Sequence, residues 1–455
     1  MPTFSGKYQH SHADGSPSVA GACIISFDEE TLTLTPTAGA PLAFDLGDID
    51  VFTPNEYELT LSLYSGNKLT LNQFGKTFQN LCHDLLEAYR KRLVQCLLLE
   101  DLEEITRFDA FARLDSPRGS FSSPAELRLY KSNLAVLPAQ ATGVQWRLAD
   151  IDSINFDEAG YAVTLQNSEE RLTLTKLAKR TEEFRERLRE ATAQIAEKGA
   201  QTLRQMFPFL TPDQFQQVAQ LMKEGRAVPL ARLMAIHPKT EQALVTNIVH
   251  ARMRPYFDAL LTHVPAGTMY TGFKLIGKEA EEGEEAETPQ AADDAANTEQ
   301  SAAGEPSAQA APGEPRVDGE EEKEPILHWF FFPLASKQNP SQPGDLVAWE
   351  ATSKGGRATY FFRIQSPSGG TARVPLDAAI RELNRALVLL NFRREPIYLP
   401  DDSLTLQPRY RRYAIACRKI PELRRLRASV LGRAIHTSLA AWQKQVDGFL
   451  ALQQM

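Results

Sequence analysis

Two stretches of this chain match when one is slid along the other by 102 residues. In the first, Leu32 and Leu34 precede Pro36, and Phe44 and Leu46 precede Asp48-Ile49-Asp50. In the second, Leu134 and Val136 precede Pro138, and Trp146 and Leu148 precede Asp150-Ile151-Asp152. Further along the offset becomes 103, where Leu69-Thr70-Leu71 answers Leu172-Thr173-Leu174, as one extra residue in an intervening turn would produce. Solenoid modules repeat at roughly 20–50 residues. A spacing of 102 is instead that of a duplicated domain, so whatever the first copy folds into, the second must fold into as well.

Local patterns say what the copies are. CIISFDEETLTLTP alternates apolar and polar residues around an acidic turn at Asp28–Glu30, and EYELTLSLYSGNKLTLNQF does so around Ser65-Gly66-Asn67. A period of two with β-branched residues predicts half-buried antiparallel strands joined by tight turns. The period then lengthens. Phe78, Leu81, Leu85, Tyr89 and Leu93 recur every three or four residues, and Phe184, Leu188 and Ile195 do so in the second copy, which predicts one amphipathic helix closing each set of strands.

A run of meandering strands sealed by a C-terminal helix resembles the pleckstrin-homology (PH) fold. The resemblance covers residues 18–99 and 117–198 and rests on architecture and spacing; another small β-barrel or sheet with a capping helix fits the same pattern. It implies ligand binding rather than catalysis. PH domains that grip phosphoinositides use basic residues around the first hairpin. Reading Asp28-Glu29-Glu30 as that hairpin turn, the first copy would repel phosphate, and the second offers only Arg128 and Lys131. The resemblance therefore points to protein ligands.

The remainder divides by composition. Residues 199–264 predict a bundle of short helices. Thr211-Pro212-Asp213-Gln214 supplies a hydroxyl cap, a proline at the first helical position and a glutamine at the third; Gly225 ends the segment, and Pro229, Pro238 and Pro255 break the chain beyond it into short pieces. Residues 268–455 predict a third α+β region. Its strands fall at Met269–Ile276, Ile326–Leu334, Asp345–Thr352 and Thr359–Gln365, followed by a helix at Pro375–Phe392 and a basic helical C-terminus in which Leu423, Leu426, Val430, Ala434 and Leu439 mark an apolar face. Between the first two strands, residues 278–324 lack aromatics and are rich in Glu, Ala, Pro, Gly and Ser, the composition of disordered chain. They are either a linker between two domains or an enlarged loop inside the third. The expected fold class is α+β throughout.

Charge is divided as unevenly. Residues 279–324 hold 16 Asp/Glu against Arg316 and Lys323, a net of −14, so the rest of the chain carries −8 + 14 = +6. Arg393–Arg433 has eleven Lys/Arg and four Asp/Glu, or +7. Arg409, Arg411, Arg412, Arg418, Lys419, Arg424, Arg425 and Arg427 are the candidate contacts to a polyanion, nucleic acid or an anionic membrane surface, against the plainer reading that they are solvated helix faces. The acidic segment would screen them.

Chemistry-bearing motifs are scarce. Asp48-x-Asp50 and Asp150-x-Asp152 lie between strands, where solvated turn carboxylates are expected rather than metal ligands. His10-x-His12 sits in a polar N-terminal stretch read as mobile. Gly355-Gly356 and Gly369-Gly370 lack the Lys-Ser/Thr ending of a phosphate loop. Cys23, Cys82, Cys96 and Cys417 are scattered, as reduced thiols in a cytoplasmic protein would be. No apolar run approaches the ~20 residues that span a bilayer, and no cofactor, metal or catalytic set is expected. The expectation is a non-enzymatic scaffold that binds protein partners through tandem PH-like units, with polyanion docking through 393–433 as the alternative.

Overall fold

The computed structural model describes residues 2–117, 119–157, 159, 161–275, 326–352, 357–364 and 375–453. The chain is α+β, built on three antiparallel sheets. The first copy contains β1 (Thr3–Ser11), β2 (Val19–Phe27), β3 (Thr31–Pro36), β4 (Leu42–Asp45), β5 (Ile49–Pro54), β6 (Glu58–Leu63) and β7 (Lys68–Asn72), closed by α1 (Phe78–Cys96). The second contains β8 (Glu104–Asp115), β9 (Phe121–Tyr130), β10 (Asn133–Pro138), β11 (Val144–Arg147), β12 (Ser153–Asp157), β13 (Ala162–Gln166) and β14 (Arg171–Thr175), closed by α2 (Thr181–Met206). Strand order is β4-β3-β2-β1-β7-β6-β5 in the first sheet and β11-β10-β9-β8-β14-β13-β12 in the second, the same topology twice.

Equivalence holds residue by residue. Leu32 faces Phe44 across β3 and β4, and Leu134 faces Trp146 across β10 and β11. Before each closing helix the backbone twists identically at an offset of 103: Gln73 and Lys176 have φ of 62° and 59°, and Gly75 and Ala178 have 56° and 53°. That left-handed geometry is uncommon for a residue with a Cβ, so its recurrence in both copies fixes the alignment of α1 with α2. Leu81 and Leu85 then correspond to Phe184 and Leu188, and all four are fully buried.

Three expectations change. Each sheet begins ahead of the residue-18 and residue-117 boundaries, because β1 and β8 are central strands. The polar N-terminus is thus a paired strand. His10 faces Leu69 in β7, the place that Leu114 takes opposite Leu172 in the second copy. His10 is a core residue, its ring 5.3 Å from Phe44, and burial lowers its pKa. Second, the first hairpin joins β1 to β2 through residues 12–18, while Asp28–Glu30 turns between β2 and β3; the acidic turn therefore has no bearing on phosphate at the first hairpin. Arg128 is buried against Glu126 and Lys131 pairs with Glu103, both at 2.5 Å. Third, the copies differ in depth at their matched aromatics: Trp146 is buried and Phe44 only half-buried.

The third sheet runs β15 (Val228–Pro229), β16 (Tyr270–Leu275), β17 (Ile326–Ala335), β18 (Pro343–Ala351), β19 (Ala358–Arg363) and β20 (Val430–Ile435), in that order. It is covered on both sides. In β17 alternate residues serve opposite faces. Trp329 and Phe331 join a core shared with the first copy and with α7 (Leu376–Leu389), α10 (Arg411–Lys419) and α11 (Pro421–Ser429). Phe330, Phe332 and Leu334 pack with α3 (Pro212–Leu221), α4 (Leu230–Ile236), α5 (Lys239–Ile248), α6 (Arg254–Leu261) and the terminal α12 (Leu439–Ala451). Between α7 and α10 lie α8 (Glu395–Tyr398) and α9 (Asp401–Leu406). The helical reading of the C-terminal apolar face fails at Val430, where the chain straightens into β20 and Gly432 takes φ +150°.

Leu275 and Ile326 are paired neighbours in β16 and β17. Residues 276–325 therefore connect adjacent strands of one sheet, which decides for the loop and against the inter-domain linker. The disorder expected of 278–324 lies outside the described residues, as do Gly355-Gly356 and Gly369-Gly370. Replacing 276–325 by a short Asn-Gly turn is expected to leave the fold intact and raise stability by about 1–2 kcal/mol, since a shorter loop costs less entropy to close. Urea denaturation checks this, and a loss of cooperative unfolding would refute it.

The sheet also carries an acid-sensitive group. Burial drives His328 in β17 down to about 4 from its ordinary 6.5. A depressed value means that the folded state resists the proton which the unfolded state takes up. The stability His328 allows is complete above pH 6.5 and is lost as pH falls towards 4. His328→Gln is expected to flatten the stability profile in that window, read by urea midpoints at successive pH values.

Candidate functional site

In each copy the Leu-x-Asp-Ile-Asp segment makes a single 3-10 turn, at Leu46–Asp48 and Leu148–Asp150. The turn lies against the closing helix, and the two form the walls of a groove. In the first copy the turn is braced from within. Asp45 accepts the Gly47 N–H at 2.7 Å and a bidentate pair from Arg92 of α1 at 3.0 and 2.9 Å.

Helix α10 occupies this first groove. Lys419 at its C-terminal end donates to the carbonyls of Gly47 at 3.2 Å and Ile49 at 2.6 Å, and its ammonium lies 5.3 Å from the Tyr89 ring centroid. Arg418 pairs with Asp48 at 3.3 Å. One turn back, Ile415 packs so tightly that a Cβ on Gly47 would lie 2.9 Å from its Cγ2 and 2.9 Å from Cys96 Sγ. Burial lowers the Lys419 ammonium, raises Asp48, and pushes the Cys96 thiol up to about 11. Burial pushes Cys82 and Cys417 up to about 11 as well, which favours the protonated thiol over the nucleophilic thiolate.

Helix α3 enters the second groove in the same sense. It starts on the capping box read from the sequence, with Thr211 and Gln214 bonded reciprocally, and it leads into Lys223. That lysine reaches the carbonyl of Ile151 at 3.5 Å and Asp152 at 3.2 Å, and Arg226 adds a second contact to Asp152 at 3.2 Å. Lys419 on Ile49 and Lys223 on Ile151 are thus one relation made twice, at the 102-residue offset. The carboxylates expected to be merely solvated include two, Asp48 and Asp152, that receive cations from outside their own unit.

The grooves differ in filling. At the offset of 103, Cys96 of α1 becomes Gly199 of α2. Ile415 stands four residues before Lys419; Ala219 stands four before Lys223. Gly199 and Ala219 stand where the larger Cys96 and Ile415 close the first groove, and a groove of about 540 Å³ lies between α2 and α3, with Ile154 and Ile195 half-buried along it.

The basic candidates are engaged within the chain. Arg411 meets Glu30 at 3.5 Å, and Arg412 meets Glu100 at 2.5 Å and Asp101 at 2.9 Å. Arg424 bonds the Tyr64 hydroxyl, Arg425 bonds Glu382, and Arg427 holds the carbonyls of Pro396 and Leu399 together with Asp401. Arg409 lies over the ring of Tyr410. Together with Arg418 and Lys419, five of the eight therefore bridge to the first copy or the loop after it. The second copy is tied to the third region by Arg381–Glu169 at 3.2 Å and Arg385–Glu170 at 3.4 Å, and to the short-helix segment by Arg147–Glu224 at 2.6 Å. Nothing in the sequence singles out Lys223 or marks Lys419 apart from its basic neighbours, because their partners, main-chain carbonyls and for Lys223 also Asp152, lie far away along the chain.

Among the described residues no three His, Cys, Asp or Glu side chains gather as a metal site, and no helix is long and apolar enough to cross a membrane. No family model and no curated protein matches the chain. Among solved structures, one chain of the Spt16D Pob3N heterodimer is 19% identical, with 37% of this chain and 83% of that one covered at a TM-score of 0.16.

Proposed function

We propose that the protein is a non-enzymatic scaffold, acting in the cytoplasm, whose two PH-like units hold helical segments. The observation that supports this most directly is the repeated groove: two copies of one turn, each with a helix seated beside it and a lysine on the carbonyl of its isoleucine. A surface used twice for helices within the chain is suited to taking helices from partners, by apolar anchors laid into a groove. Sizing the native protein in extract tests the reading. A scaffold is expected to elute in a defined complex that survives raised salt, because an apolar interface is not screened. Elution at the mass of the chain alone, in extract at native concentration, would refute it. A complex that forms only with nucleic acid and dissolves steeply with salt would favour the polyanion reading of residues 393–433 instead.

A further inference from the structure

We propose that His10 and His12 bind a divalent transition-metal ion of the zinc or copper class, at the place where β1 runs out into the first hairpin. This goes beyond the scaffold reading and does not depend on it. The two residues are alternate positions of one extended segment, so their side chains leave the same face. Their ring centroids lie 4.3 Å apart, with the planes tilted by 57°. Imidazoles that share an ion each sit about 2.0–2.1 Å from it through one nitrogen, which sets the ring centres about 5 Å apart. A small rotation of His12, half-buried at the start of the hairpin, opens that space.

The second copy shows what this place in the sheet holds when packing alone decides. Leu114 stands opposite Leu172 where His10 stands opposite Leu69. An imidazole there brings polar nitrogens to a position that leucine fills without any. His10 is 7% exposed, and its Nε2 is buried with no hydrogen-bond partner, an orphan of the kind that a bound ion resolves. Phe44 stands edge-on to the ring at 5.3 Å with no polar atom to offer it. Burial, and then the nearness of His12, lowers the His10 pKa from its ordinary 6.5, so the ring is neutral at pH 7 and keeps a lone pair for a metal.

The donors fix the class of ion. Imidazole nitrogens suit zinc and copper, whereas calcium and magnesium require oxygen ligands. Among the described residues no third His, Cys, Asp or Glu gathers with the pair, so water takes the remaining positions. Asp14, held low by its hydrogen bonds from Ser16 and further by His12, places a negative charge beside the site.

The probe is Cu2+, titrated into the untagged full chain after bound metal has been removed with a chelator, because copper binds nitrogen sites most tightly among the divalent first-row ions. One equivalent is expected to bind, with an electron paramagnetic resonance spectrum that shows coupling to two nitrogens. His12→Gln should weaken binding at least about tenfold, since losing a group that merely supports a ligand already costs roughly 10–100-fold. His10→Leu installs the residue of the second copy. It should weaken binding as much and melt no lower than the metal-free wild type; if it fails to fold, His12→Gln decides alone. His83→Gln, on the exposed face of α1, should leave binding unchanged. Zn2+ is expected to raise the melting temperature of the wild type and of neither site variant. No binding, or coupling to a single nitrogen, would overturn the proposal. Binding that survives both site variants, or that falls as far with His83→Gln, would mean an adventitious ion only and would overturn it as well.

Discussion

Lys419→Met is expected to destabilise the protein by about 2–4 kcal/mol. The substitution keeps the length and apolar stem of the side chain and removes the ammonium that the carbonyls of Gly47 and Ile49 share. Each buried acceptor left without a donor costs roughly 1–3 kcal/mol, and relief of the cation's desolvation returns part of that. The pH dependence separates these terms. Burial holds Lys419 below its ordinary 10.5, so the unfolded chain binds that proton more readily than the folded one. Stability linked to Lys419 is therefore complete above pH 10.5 and is lost as pH falls through the depressed folded value. Wild type should gain stability through that alkaline window and Lys419→Met should not. Lys223→Met, whose contacts are longer and half-exposed, should cost about 1 kcal/mol or less. Urea denaturation of the two variants measures both, and equal losses would contradict the difference in burial between the grooves.

That difference marks the limit of what the sequence carries. The duplication, the strand-to-helix order of each copy and the strands of the third region are legible because each rests on a short-range period, two for a strand and 3.6 for a helix. The capping box of α3 is legible for the same reason, as its two bonds span three residues. β1 is not legible, because its polar residues conceal a strand paired on both sides, with His10 in the place of a leucine. Nor is β20, because Val430 and Ala434 continue a helical spacing by coincidence, and their extended backbone is set by pairing with β19, some seventy residues earlier. The grooves belong to the same class. Gly47 touches Ile415, and the choice between an open and a closed groove is made by residues hundreds of positions apart. No local pattern reports that choice. It appears only when the copies are aligned through their shared backbone twist and compared side chain by side chain.

The alignment supports a paired experiment in which one substitution should have opposite consequences at equivalent sites. Gly47→Val places a side chain where Cys96 Sγ and Ile415 Cγ2 each lie 2.9 Å from the new Cβ, with Asp45 Oδ1 at 3.0 Å. None of these is the free end of a flexible chain, so α10 must move. Overpacking of this kind costs about 1–3 kcal/mol, and any displacement of α10 also strains the Lys419 bonds. Ala149 is the equivalent residue in the second copy and lines the open groove. A valine there meets space, and Ala149→Val is expected to shift stability by no more than about 0.5 kcal/mol, as a surface substitution does. A cysteine-directed reagent adds a second readout: Cys96, buried beneath α10, should become reactive in Gly47→Val and stay protected in Ala149→Val. If both variants are tolerated alike, α10 is not wedged in the first groove. If both are damaging, the second groove is as tightly closed as the first.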